Sequence, residues 1–86
     1  MSLAEFWEEI SAVDRELLDA INRRVQLVRD LHAHKQEEGI PLRDLEREEQ
    51  LVRSLQDANE GPLSTAGVSQ FFHHVLELTR RELYGE

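Results

Sequence analysis

At 86 residues, 40% apolar and 33% charged, the chain is a single domain near the lower limit at which one hydrophobic core holds a fold unaided. It has no cysteine, which excludes disulfides and thiolate metal sites, and its formal charge of -8 argues against nucleic acid or a membrane surface as partner. Its apolar runs fall far short of the about 20 residues that span a bilayer, and the acidic N-terminus lacks the basic and apolar regions of an export signal, so a soluble, cytoplasmic protein is expected.

From Ser2 to Glu38 there is neither Gly nor Pro, and Phe6, Ile10, Val13, Leu17, Ile21, Val25, Val28 and Leu31 recur at spacings of three and four. That period predicts one long amphipathic helix, ended by Gly39 and followed by Pro41. A second helix is predicted from about Leu42 to Asn59, with Leu45, Leu51, Val52 and Leu55 on its apolar side. Glu60-Gly61-Pro62 breaks it, and a third helix starts behind Ser64 or Thr65 and runs through Val68, Phe71, Phe72, Val75, Leu76, Leu78 and Leu83. No stretch has the alternation of a strand. The expected fold is all-α, one domain over residues 1–86.

Length then decides the assembly. A straight first helix of about 36 residues is roughly 54 Å long, whereas a compact chain of this size has a diameter of only about 30 Å. The alternative is a helix kinked near Asn22-Arg23 and folded back as an ordinary bundle, but nothing there is a kink residue, so the straight helix is expected. A partner chain must cover its apolar stripe, and an intertwined helical homodimer is expected.

Arg24 and Lys35 lie eleven residues apart, almost three helical turns, and so share a face with Ile21, Val28 and Leu31. One inward cation commonly reaches the rim or a carboxylate; two in line call for anions. The segment LRDLEREEQL places Asp44 and Glu48 one turn apart with Arg47 beside them, while Arg43, Glu46 and Glu49 read as a solvated face. His32 and His34 are two apart and His73 and His74 adjacent, so neither pair has chelate spacing, and no metal site is expected. There is no nucleophile motif and no glycine-rich phosphate loop.

The runs ISAVDRELLDAINRRVQLVRDLHAHK, PLRDLEREEQL and SQFFHHVLELT, in three helices of which the first is very long, resemble the all-helical class of chorismate mutases over nearly the whole chain. The Arg24 to Lys35 spacing and the Asp44, Arg47, Glu48 pattern are its most specific parts. The resemblance implies a cofactor-free rearrangement of chorismate, a dicarboxylate, to prephenate on the route to phenylalanine and tyrosine. It further implies that Arg24 pairs with a substrate carboxylate, Lys35 donates to the ether oxygen and a carboxylate, Arg47 and Asp44 frame the site, and Glu48 accepts from the ring hydroxyl.

Two positions depart from the family pattern. Trp7 stands where an Arg usually crosses the dimer to bind the second carboxylate, and Leu83 stands where a Gln or Glu usually meets the ether oxygen, four residues after a small hydroxyl residue matched here by Thr79. A shifted register of the third helix could let Glu82 or Arg80 serve in place of Leu83, and Arg23 could replace the missing Arg. The alternatives to a chorismate mutase are an enzyme acting on isochorismate or aminodeoxychorismate, and a non-catalytic helical dimer.

Overall fold

The computed structural model describes residues 1–39 and 44–85, and among them every regular element is a helix. Helix α1 spans Leu3–Glu38. Its start is fixed by a capping box: Ser2 Oγ accepts from Glu5 N–H at 3.1 Å, and the Glu5 carboxylate accepts from Ser2 N–H at 3.4 Å. Gly39 ends it in the left-handed region at φ 72°, where the missing Cβ removes the steric cost, and its N–H closes on Gln36 O at 3.2 Å.

Helix α2 spans Leu45–Ala58, so it begins later than the expected Leu42. The reason is Asp44. It is the N-cap in extended conformation, with its carboxylate accepting from Arg47 N–H at 2.9 Å, a bond that a short acidic side chain makes best from outside the first turn. Leu42 and Arg43 lie outside the described residues. At the far end Asn59 ties down the connection, donating to Leu63 O and accepting from Gly61 N–H, while Gln56 donates to Thr65 O. Helix α3, Thr65–Tyr84, starts behind Ser64, which accepts from Gly67 N–H at 2.9 Å, and ends at Gly85.

Packing is centred on α3, which lies against α2 and, more sparingly, against α1. Val68, Val75, Leu76 and Thr79 recur at helical spacing on the inward side of α3 and are buried with Val52 of α2. This core is small. On α1, Phe6, Ile10, Val13 and Leu17 remain 48–53% exposed. The chain measures 55 × 24 × 21 Å with a radius of gyration of 16.0 Å, against about 12 Å for a compact domain of its length. The expected straight first helix is therefore present. No described helix is long and apolar enough to cross a membrane.

Candidate functional site

The C-terminal half of α1, the first turn of α2 and the last two turns of α3 enclose a cavity of about 80 Å³. Arg24, Val28 and His32 of α1 line it one helical turn apart. Glu48 enters from α2, and Leu76, Thr79, Arg80, Leu83 and Tyr84 close it from α3.

Arg24 is held first. Its Nη1 donates to Thr79 Oγ1 at 2.8 Å, and that hydroxyl in turn donates to Val75 O at 2.7 Å, one turn back in α3. Thr79 is 4% exposed, so the guanidinium meets its acceptor out of bulk water. Burial lowers the Arg24 pKa, and the Glu48 carboxylate opposes that shift. The side chain keeps its charge, as guanidiniums in proteins do. Glu48 is the counter-charge of a second arginine as well: Arg80 Nη1 lies 3.2 Å from Glu48 Oε1, with both side chains roughly three-quarters buried or slightly less.

At the other end of the cavity the ring of His32 stacks on Tyr84, with centroids 5.5 Å apart and planes 16° from parallel, and Tyr84 O–H and His32 Nδ1 share a hydrogen bond. Desolvation lowers the His32 pKa, and the nearby Lys35 ammonium lowers it further. His32 is accordingly neutral at pH 7. Charges around the cavity thus stand as two guanidiniums and the Lys35 ammonium against the Glu48 carboxylate. The balance is two positive charges, in a chain whose total is -8.

Of the residues expected from the sequence, Arg24, Glu48, Thr79 and Leu83 come together in this cavity. Lys35 is half-buried one turn beyond His32 and acts on it through space, but it does not line the cavity. Asp44 and Arg47 are exposed, and they meet through the Arg47 backbone amide rather than its guanidinium, because the Asp44 carboxylate is used as a helix cap. Trp7 is 60% exposed and stands 17 residues before Arg24, about 25 Å along the helix axis. Glu82 lines a separate hollow with Ile21, Asn22, Val25, Gln26, Arg29 and Leu78, so it does not reach the cavity of Thr79. Arg80 does.

Val28, placed on the Arg24 face, His32, weighed only as a metal ligand, and Tyr84 were given no part in the site from the sequence. For His32 the signal was available: Arg24, Val28 and His32 follow one another at intervals of four, which marks one face. Tyr84 and Arg80 each follow a residue that faces the cavity, and their long side chains reach round to it. A larger hollow of about 570 Å³, between α1 and α3, has no converging cations; it is walled by Leu17, Leu18, Ile21, Phe71, Val75 and Leu78, and its Arg81 is already paired with Glu77 at 2.8 Å.

Two arginines from different helices, ordered around one carboxylate and a buried hydroxyl, define a small all-helical protein with a cavity flanked by cations. A match to the family described as chorismate mutase type II spans residues 6–83, and the chain belongs to that family. It is similar to the solved structure of chorismate mutase form I from Thermus thermophilus, with a TM-score of 0.87 and 26% identity over 90% of this chain and 96% of that one. The form II structure from the same organism gives a TM-score of 0.85 and 26% identity over 90% and 88% of the two chains. No curated protein matches the chain.

Proposed function

We propose that the chain is a chorismate mutase, an isomerase that rearranges chorismate to prephenate in aromatic amino acid biosynthesis, and that it works as a cytoplasmic homodimer. The observation that carries this reading is the convergence of Arg24, Glu48 and Thr79, from three helices, on one cavity. The substrate carries two carboxylates, and the surplus of two positive charges around the cavity complements them.

Within one substrate molecule a C–O bond breaks and a C–C bond forms, so no proton or group passes to the protein. Its task is to hold the compact reactive conformer and to put donors where negative charge grows on the ether oxygen. Arg24, oriented by Thr79 before the ligand arrives, binds a carboxylate with little further ordering. Lys35, at the end of the same helical face, supplies the donor to the ether oxygen, and Glu48 accepts from the ring hydroxyl. Asp44 supports the site by starting α2, which sets the position of Glu48 one turn later. Arg47 frames the outer rim of the site.

The dimer rests on area. The chain exposes 6991 Å², about 1,800 Å² more than the roughly 5,200 Å² expected of a compact monomer of 10.0 kDa. A standard interface takes about 800 Å² from each partner, so the excess is what an obligate, intertwined pair would cover. The apolar hollow between α1 and α3 and the bare stripe from Phe6 to Leu17 are the surfaces on which a second α1 would lie. A chain without cysteine suits the reducing cytoplasm, which supports that setting.

The test is to incubate the purified protein with chorismate and follow the loss of its ultraviolet absorbance. Turnover is expected, with a fall of about a hundredfold or more in Lys35→Ala. Absence of turnover in the wild type would overturn the function, and turnover indifferent to Lys35→Ala would overturn that residue's role.

A further inference from the structure

A cavity of about 80 Å³ is too small for the proposed substrate, since pockets for organic ligands run from roughly 300 Å³ upward. Some wall must move, and the walls differ in how freely they can. Val28, Leu76 and Thr79 are short side chains on packed helices, and Arg24 is fastened to Thr79. Arg80 is different. It reaches the cavity at the end of three methylenes, about a third of its side chain is still exposed, and a single bond, from Nη1 to Glu48, restrains it.

We propose that Arg80 is a substrate-binding residue of this site, which lets go of Glu48 and grips a carboxylate of the ligand when the ligand enters. This assignment rests on the chorismate mutase reading and deepens it. Three observations converge on it. The guanidinium lines the same cavity as Arg24, on the opposite helix, so the two cations flank the space between them. A guanidinium has five N–H donors and its bond to Glu48 engages Nη1 alone, so a planar carboxylate can be taken up on the remaining edge. Finally, Trp7 is uncharged at the position where the family resemblance implies a cation for the second carboxylate, and Arg80 would supply that charge.

The exchange has a chemical logic. Glu48 neutralises Arg80 and keeps two partly buried cations from repelling each other. When a dicarboxylate arrives, its own charges take over that role, Glu48 is freed to accept from a hydroxyl, and the side chain that filled the cavity becomes part of its lining. Arg80 is then the residue that makes room and the residue that holds what enters.

A purely structural Arg80 would serve only to hold Glu48, and a double-variant cycle separates the two roles. Chorismate turnover and calorimetric binding of prephenate, the dicarboxylate product, are measured for the wild type, Arg80→Gln, Glu48→Gln and the double variant. Arg80→Gln is expected to raise KM and the prephenate Kd by about tenfold or more in both backgrounds, with kcat changing less than KM. If Arg80→Gln has no effect once Glu48 is already Gln, the residue only positions Glu48 and the proposal fails. Arg80→Lys keeps a charge without the planar fork and is expected to fall between the wild type and Arg80→Gln. It carries the test should Arg80→Gln lose its helical circular dichroism, and an unchanged KM in Arg80→Lys overturns the assignment. A wild type that neither turns over chorismate nor binds prephenate overturns the function and this proposal together, whereas an active wild type with an indifferent Arg80 overturns this proposal alone.

Discussion

Replacing Thr79 by valine removes one hydroxyl and leaves the shape of the side chain and its helix propensity nearly unchanged. The hydroxyl is 4% exposed and is the acceptor for Arg24 Nη1 at 2.8 Å. Hydrogen bonds to charged groups contribute about 1.5–3 kcal/mol. Arg24 is only half-buried, so water can replace part of the lost contact, and the expected cost is about 1–2 kcal/mol. The bond from Thr79 to Val75 O adds little, because that carbonyl also serves the helix ladder. For a domain of this size each kcal/mol lowers Tm by about 4–8 °C, so a fall of roughly 5–15 °C is expected at fixed protein concentration. Arg24 would also lose its fixed direction, and a misplacement of an ångström at a binding group can cost about a hundredfold, so kcat/KM should fall ten- to hundredfold. Thr79→Ser, which keeps the oxygen, should retain most of the activity. The assays are thermal unfolding by circular dichroism and chorismate turnover. A Thr79→Val protein with Tm within about 2 °C of wild type on the scale above, and unchanged kcat/KM, refutes the claim that this hydroxyl holds Arg24.

Leu83→Gln places a donor in the cavity one turn after Thr79 and should raise kcat at least about tenfold; an equal or lower rate means that position 83 does not face the ether oxygen. Ile10→Glu puts a charge into the bare stripe of α1 and should shift sedimentation from dimer to monomer with loss of helical signal; an unaffected dimer would mean that the stripe is not the interface. The lowered pKa of His32 means the unfolded chain takes up a proton there before the folded one does. The stabilising contribution is therefore present above about pH 6.5 and is lost as pH falls through that value toward the folded pKa. Tm should drop more steeply between about pH 7.5 and 5.5 in the wild type than in His32→Phe, which keeps the stack on Tyr84; equal slopes would remove His32 as the cause.

Much of the architecture is legible because it is local. Gly39, the Gly61-Pro62 break and Ser64 punctuate the helices through backbone chemistry that one or two residues decide. Asp44 shows the limit of that reasoning: a helical spacing to Glu48 suggests a shared face, yet the same side chain is a stronger N-cap than a first-turn residue, and the cap wins. A period of 3.6 puts Arg24 and Lys35 on one face, and of the two Arg24 lines the cavity while Lys35 stands beyond it. The bond from Arg24 to Thr79 and the pair of Glu48 with Arg80 join residues 55 and 32 positions apart, and they depend on how α3 is rotated between its two neighbours. Nothing in the spacing along α3 fixes that rotation, so Arg80 and Glu82 looked equivalent in the sequence and turned out to face different hollows.

Helix α3 carries three tasks on different sides. Val75 and Leu76 hold the core, Thr79, Arg80, Leu83 and Tyr84 close the cavity, and Phe71, His74 and Leu78 wall the apolar hollow on the opposite side. A mutational library confined to these positions would touch packing and cavity together, and variants selected for a new substrate would tend to lose thermal resistance in the same step. The outer face of α2 offers the reverse. Glu46, Glu49, Gln50 and Arg53 are exposed and clear of the cavity, which makes them the places for fluorophores, spin labels or attachment to a surface.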